Sequence, residues 1–173
     1  MLLRRFFSVD VEIGGVSKAT LRAALAEAGV QLNAAAEALF ADPRFTVAPQ
    51  RQPIRITALS VADLGLTTGA TAPEIAAAAR ARGWSDCPLE LGSHLCLRRV
   101  LPPEAADARP PTPGTAPPGA FTIASAPLDD DDETPKGFYL RRVDGVDWLR
   151  GYRSWDGHPW HPDDVFVFCQ RAP

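Results

Sequence analysis

The stretch that decides the fold is Gly137-Phe-Tyr-Leu-Arg-Arg-Val-Asp-Gly-Val-Asp-Trp-Leu-Arg-Gly-Tyr-Arg153, in the last third of the chain. Two apolar, β-prone runs flank the dipeptide Asp144-Gly145, which is a strong signal for a two-residue type I′ β-hairpin. A turn at this dipeptide sets the register of the hairpin. The facing pairs are then Val143 with Val146, Arg142 with Asp147, Arg141 with Trp148, Leu140 with Leu149, and Tyr139 with Arg150. The stretch therefore predicts an antiparallel hairpin of defined register.

The predicted hairpin has two chemically different faces, because successive side chains of a strand point to opposite sides of the sheet. One face carries Phe138, Leu140 and Leu149, which are typical of a core. The other, here named the Arg–aromatic face, consists of Tyr139, Arg141, Val143, Val146, Trp148 and Arg150. Arg and aromatic side chains can hold a planar ligand or a protein through cation–π and stacking contacts, each worth on the order of 1 kcal/mol. A solvent-exposed sheet face without a ligand has the same pattern, so both interpretations stay open.

A loop dense in aromatic, imidazole and carboxylate groups follows the hairpin: Ser154-Trp-Asp-Gly-His-Pro-Trp-His-Pro-Asp-Asp164. Three of the four Trp and two of the three His of the chain lie between Trp148 and His161. This density predicts that a binding site includes the loop. Its candidate residues, beside those of the Arg–aromatic face, are Trp155, His158, Trp160, His161 and Asp163.

The same loop offers groups for metal binding or acid–base catalysis. His158 and His161 lie near the carboxylates of Asp156, Asp163 and Asp164, and these groups are common metal ligands and proton carriers. Each His precedes a Pro, however, which favours extended backbone and removes the proximity of a helical i, i+3 pair. We therefore expect no metal site and no cofactor. A small hydrolase or transferase using these groups remains the alternative, so whether the protein is an enzyme is left open.

Composition excludes several classes of protein. The chain has 173 residues with 46% hydrophobic and 23% charged residues, as in an ordinary globular domain. Its net charge of −3 argues against a general nucleic-acid binder. No apolar run is long enough for a membrane span or a secretion signal, so we expect a cytoplasmic protein. Motifs of the type G-x-x-x-x-G-K-[ST], G-x-G-x-x-G, G-x-S-x-G and H-E-x-x-H do not occur in the sequence.

The N-terminal part predicts strands alternating with short helices. Helices begin after the capping residues Ser17 and Asn33 and at the capping box that opens with Thr71. The predicted strands cover residues 6–13, 54–59 and 95–101. We expect an α+β fold in which these short helices pack with strands, followed by a C-terminal antiparallel sheet built on the hairpin.

A Pro-rich segment separates the two parts of the chain. Residues 102–118 hold seven Pro, which cannot donate ladder hydrogen bonds or continue a helix. The segment predicts an exposed linker or long loop. The expected organisation is an N-terminal α+β part at 1–101, a linker at 102–120 and a C-terminal β part at 121–173, folding as one cooperative unit.

Four segments resemble a family of small uncharacterised bacterial proteins: Ala58-Leu-Ser-Val-Ala-Asp-Leu-Gly65, Cys87-Pro-Leu-Glu-Leu-Gly92, Lys136-Gly-Phe-Tyr-Leu-Arg-Arg142 and Pro162-Asp-Asp-Val-Phe-Val-Phe168. Some relatives in that family carry a helicase label, which this chain does not support because it lacks a phosphate-binding loop. The resemblance implies a bacterial domain that stands alone. It supplies no catalytic residues.

These observations favour a non-enzymatic binding or interaction protein. Its predicted surface is the Arg–aromatic face together with the loop that follows the hairpin. Aromatic and Arg side chains of this kind dominate the energetics of many interfaces. The expected partner is another protein or a small planar ligand.

Overall fold

The computed structural model describes residues 8–106 and 115–170 and has an α+β fold, as predicted. Its helices are α1 (Lys18–Glu27), α2 (Ala34–Ala41), α3 (Ala72–Ala81) and α4 (Leu91–Leu97). Its strands are β1 (Ser8–Ile13), β2 (Gln31–Leu32), β3 (Gln52–Ser60), β4 (Trp84–Ser85), β5 (Phe121–Ile123), β6 (Gly137–Val143), β7 (Val146–Tyr152) and β8 (Val165–Gln170). Within this part of the chain, no helix is long and apolar enough to cross a membrane.

All eight strands belong to one mixed sheet in which β8 is the central strand. The order along the sheet is β1-β3-β8-β5-β6-β7-β2, and β4 also pairs with β8. β8 runs antiparallel to β3 and parallel to β5, so the last strand joins the N-terminal strands to the hairpin. The C-terminal strands therefore form one half of a continuous mixed sheet, instead of an antiparallel sheet of their own.

The hairpin has the predicted register. β6 and β7 pair Val143 with Val146 at the turn and Tyr139 with Arg150 further along. Asp144 and Gly145 have φ angles of 51° and 75°, a left-handed region that Gly tolerates freely and Asp better than most residues. The Gly145 N–H also donates to the Glu104 carboxylate at 2.9 Å, which ties the turn to the Pro-rich segment.

Each face of the sheet is covered by a different cluster of apolar residues. In β8, Val165, Val167 and Cys169 belong to the main core, whereas Phe166 and Phe168 belong to a second cluster on the opposite face. Residues of α2 and α4 complete the main core, and residues of α3 complete the second cluster. Burial on both faces explains why the first five residues of β8, Val165–Cys169, are all apolar and show no alternation.

The start of each predicted helix is confirmed. Ser17 caps α1 by accepting from the Thr20 N–H, and Thr71 opens α3 with a capping box. Asn33 does more than cap α2, because its Oδ1 accepts from the N–H groups of both Ala36 and Gly151. Its Nδ2 donates to the Gly151 carbonyl at 2.9 Å, so one amide joins a helix start to β7.

The predicted strand at residues 95–101 is wrong, because residues 91–97 form helix α4. Leu91 and Leu95 lie one turn apart in this helix and are both fully buried in the main core. Gly92 lets the helix approach the sheet, since a Cβ there would lie 2.8 Å from a Leu149 methyl group. A short helix that is buried nearly all round has no amphipathic period, and its apolar run resembles a strand in sequence.

The described ends of the Pro-rich segment pack on the hairpin. Pro102 is buried, and the Ala105 N–H donates to the Arg142 carbonyl at 2.8 Å. On the other side of the segment, the Pro118 carbonyl accepts from Nε of Arg141 at 3.0 Å. Residues 107–114 of the predicted linker lie outside the described residues. The segment thus covers part of the face that carries Arg141.

The double role of Asn33 leads to a prediction about stability. We expect Asn33→Ala to lower the free energy of unfolding by about 2–3 kcal/mol, because it removes a helix cap and two hydrogen bonds to β7. Ser17→Ala is the matched control, since it removes a cap and an exposed hydrogen bond to the Thr20 hydroxyl but no bond to the sheet, and it should cost about 1 kcal/mol. Urea denaturation of both variants measures the difference. Equal losses would mean that the bonds to Gly151 contribute nothing to stability.

Candidate functional site

The Arg–aromatic face is largely closed at the end where Tyr139 and Arg141 lie. Their side chains are only 6% and 4% exposed, respectively. Arg141 is held by its hydrogen bond to the Pro118 carbonyl, and burial raises the pKa of Tyr139 although Arg150 and Arg141 act in the opposite direction. This end is therefore a packed interior and offers no flat surface to a partner.

Trp148 and Arg150 form a separate pair on the same face. The Arg150 guanidinium carbon lies 4.9 Å from the centroid of the Trp148 ring, within the range of a cation–π contact. Trp148 pairs in register with Gln31 of β2, at the edge of the sheet. The structure brings these two predicted residues together, but neither lines a cavity.

The aromatic residues of the loop pack onto this side of the sheet around one imidazole. The His158 ring lies between Trp155 and Trp160, with centroid distances of 5.0 and 4.9 Å and steep interplanar angles. Trp160 makes further edge-to-face contacts with Tyr152 at 5.9 Å and with Phe166 at 4.9 Å. Such T-shaped pairs are favoured geometries for aromatic rings. The rings form one connected aromatic array.

His161 and Asp163 do not join this array. Their side chains are 71% and 82% exposed and lie 3.7 Å apart in a tight turn. The turn is closed by the Asp164 carboxylate, which accepts from the His161 N–H at 2.8 Å. These two predicted site residues therefore have a local structural role at the surface.

A cavity of about 240 Å³ lies between α3, the loop and the strands β7 and β8. Its walls are mostly apolar, and five of the lining residues are aromatic. The aromatic residues are Tyr152, Trp155, Trp160, Phe166 and Phe168. Ile75 and Pro73 of α3 form the opposite wall. A largely apolar concave site with a few polar groups is the usual form of a small-molecule site.

A second cavity of about 100 Å³ adjoins the first, between the end of the Pro-rich segment and the hairpin. Its lining includes Tyr139 and His158. Four residues line both cavities: Tyr152, Ser154, Trp155 and Trp160. We refer to the two cavities together as the aromatic cleft.

Two polar atoms of the cleft walls are buried without a hydrogen-bond partner. They are Nε1 of Trp160 and Nδ1 of His158, and their side chains are 6% and 5% exposed. Burial lowers the pKa of His158, although the Asp164 carboxylate acts in the opposite direction. His158 is therefore neutral at physiological pH, so one ring nitrogen donates and the other accepts.

Ionisable groups line the larger cavity at its rim. Asp86 and Asp156 are exposed, and Lys136 lies beside them. Burial raises the pKa of the Tyr152 hydroxyl, and the charge of Asp86 raises it further. Tyr152 therefore stays protonated and presents a neutral hydroxyl. Across the residues described, no three His, Cys, Asp or Glu side chains are grouped as a metal site would require.

Sequence reasoning did not identify several residues of the cleft. Tyr152 follows Trp148 and Arg150 on the same face of β7, so extending the alternation by one step would have found it. Phe166 and Phe168 alternate with Val in β8. This alternation predicts that the Phe and Val side chains lie on opposite faces of the sheet, but it does not predict which face borders a cavity. No local sequence pattern indicates that Asp86 lines the cleft, because its position depends on where α3 and β4 pack.

The comparisons with known proteins give no further guide to the site, since no family model, curated protein or solved structure matches the chain. The resemblance to small bacterial proteins stays a prediction. The chemistry of the cleft must therefore be judged from its own residues.

The buried, neutral state of His158 predicts a specific dependence of stability on pH. Because the folded state holds the pKa of His158 below its ordinary value of about 6.5, the unfolded chain binds the proton more readily. The free energy of unfolding should therefore fall as the pH is lowered through 6.5, and it should fall less in His158→Phe. Urea denaturation at several pH values between 7.5 and 5 measures both slopes.

The control for this experiment is His161→Gln, since the His161 ring is mostly exposed. This variant should keep the pH dependence of the natural chain. Burial raises the pKa of Asp164, which contributes with the opposite sign, and this main cause is present in all three proteins although His158 and His161 each lower that pKa. An unchanged slope in His158→Phe would contradict the assignment of the proton to His158.

Proposed function

We propose that this protein binds a small planar molecule in the aromatic cleft and is not an enzyme. The observation that carries the proposal is the cleft itself, a concave and mostly aromatic site whose walls include Trp160 and His158. Nε1 of Trp160 and Nδ1 of His158 are buried in these walls without a hydrogen-bond partner, which costs about 1–3 kcal/mol for each atom. A ligand in the cleft would cover the rings, and a polar group on it would remove part of that cost where the wall side chains move to admit it.

The size of the cleft supports a ligand built on a single ring. The larger cavity, at about 240 Å³, equals roughly eight water volumes and is smaller than a drug-sized site. It is too small for a helix or a strand of another protein. Of the two expected partners, a small planar ligand therefore fits this geometry better than a protein does.

The unpartnered atoms also restrict the chemistry of the ligand. The Trp160 indole only donates a hydrogen bond, whereas Nδ1 of a neutral His158 either donates or accepts, depending on its tautomer. A hydroxyl group donates and accepts, so it can pair with either atom whichever tautomer His158 adopts. We therefore favour a phenol-like ligand.

We do not extend the proposal to the hydrolase or transferase alternative. His161 is exposed and its partner Asp163 lies outside the cleft. Among the described residues, Nδ1 of His158 donates no hydrogen bond to a carboxylate. An oriented general base would require such a partner. The aromatic walls of the cleft support binding of a ring.

A pair of simple compounds tests the proposal. We expect 4-ethylphenol to bind more tightly than ethylbenzene by about fivefold, because only the former offers a hydroxyl group to the buried atoms. Trp155→Ala should weaken 4-ethylphenol binding about five- to tenfold by removing an aromatic wall. Ligand-observed NMR titration measures both effects.

Trp148→Ala is the matched control, because Trp148 is an aromatic residue of the same sheet side that lines neither cavity. It should leave 4-ethylphenol binding unchanged. Absence of binding to the natural chain, or equal weakening by the two Trp variants, would overturn the proposed site.

A further inference from the structure

The rim of the larger cavity carries two carboxylates that are not neutralised within the protein. Asp86 and Asp156 are both exposed and line the cavity. Neither forms an ion pair or a side-chain hydrogen bond in the part of the chain that the structure describes. Asp86 lines the same cavity as Tyr152, Trp155 and Trp160, so its charge lies at the aromatic wall. The rim thus presents negative charge next to aromatic rings.

The basic group of this rim is already engaged. Nζ of Lys136 donates to the carbonyls of Asp129 at 3.3 Å and Asp131 at 3.0 Å, and it lies 4.0 Å from the Asp132 carboxylate. Its side chain is only 13% exposed. The acidic stretch that begins at Asp129 surrounds this ammonium group. The positive charge of Lys136 therefore does little to offset the charges of Asp86 and Asp156.

A basic group of the smaller cavity is held in a similar way. Nε of Arg153 donates to the Glu133 carbonyl at 2.6 Å, and it lies 4.0 Å from the Glu133 carboxylate. His158, in the same cavity, is neutral because burial lowers its pKa. Asp86 and Asp156, the carboxylates among the residues that line the two cavities, therefore both lie at the larger cavity.

Aromatic walls add to the attraction for a cation. The faces of Trp and Tyr rings carry negative charge density and attract ammonium groups, by about 0.5–2 kcal/mol depending on burial. Five aromatic residues line the larger cavity. Carboxylates and aromatic rings together are the usual means of recognising an organic ammonium ion. Carboxylates repel an organic anion, and the faces of aromatic rings do not attract one.

From this juxtaposition we infer that the natural ligand of the aromatic cleft is an aryl-alkyl ammonium, with its ring against the aromatic walls and its cationic group at the rim formed by Asp86 and Asp156. The inference rests on the proposed function and adds the charge of the ligand to it. An anionic ligand of the same size would meet two uncompensated carboxylates.

Three compounds that differ in one substituent test this inference. Tyramine is 4-ethylphenol with an added ammonium group, and 4-hydroxyphenylacetate carries a carboxylate in the corresponding position. We expect tyramine to bind the natural chain about tenfold more tightly than 4-ethylphenol, and 4-hydroxyphenylacetate to bind more weakly than either. The advantage of tyramine should shrink at 0.5 M salt, because exposed charges are then screened.

The double variant Asp86→Asn/Asp156→Asn tests whether the two rim carboxylates cause the preference for tyramine. It should weaken tyramine binding about three- to tenfold and leave 4-ethylphenol binding unchanged. Asp163→Asn removes a charge outside the cleft, where the side chain is 82% exposed, and should preserve the preference for tyramine.

The outcomes separate this inference from the proposed function. If 4-ethylphenol binds but tyramine binds no better, or if the double variant keeps the preference, the charge of the ligand is assigned wrongly while the cleft remains a binding site. If none of the three compounds binds the natural chain, the proposed function itself is wrong.

Discussion

The fold depends on the backbone pairing of β8 with strands on both of its sides. Pairing with β3 and β5 joins segments more than 40 residues apart and places β8 inside the sheet, where apolar clusters cover the side chains of Val165–Cys169 on both faces. The period of two then divides them, so that Val165 and Val167 enter the main core while Phe166 and Phe168 enter the second cluster. Without this strand the hairpin would have no link through the sheet to β1 and β3, and the aromatic cleft would lose one wall.

Features fixed by neighbouring residues could be predicted from the sequence. The caps at Ser17 and Asn33 and the register of the hairpin depend on a few adjacent side chains and on turn geometry, so local rules were sufficient. Helix α4 could not be predicted, since its residues show no amphipathic period, and its close packing at Gly92 against Leu149 joins residues far apart in the sequence. Similarly, the central place of β8 follows from long-range pairing, which no local pattern of residues encodes.

The sequence indicated the loop but not the shape of the cavities beside it. The density of Trp and His after the hairpin predicts a binding site there, and Trp155, His158 and Trp160 line the cleft, while binding itself stays a prediction. The Arg–aromatic face was expected to be a surface, yet Tyr139 and Arg141 are buried because the Pro118 end of the Pro-rich segment packs on them. Alternation tells which side chains share a face; it does not tell what covers that face.

Buried polar atoms on the two sides of the sheet differ in what lies beside them. In the main core, the Glu90 carboxylate accepts from the N–H groups of Gly14 and Ala48, so its burial is compensated by hydrogen bonds. Oγ of Ser93 in α4 is buried without a partner. Nε1 of Trp160 and Nδ1 of His158 are also unpartnered, but these two residues line the aromatic cleft. The cavity beside them, and not the missing partner alone, is therefore the feature that favours a ligand on this side of the sheet.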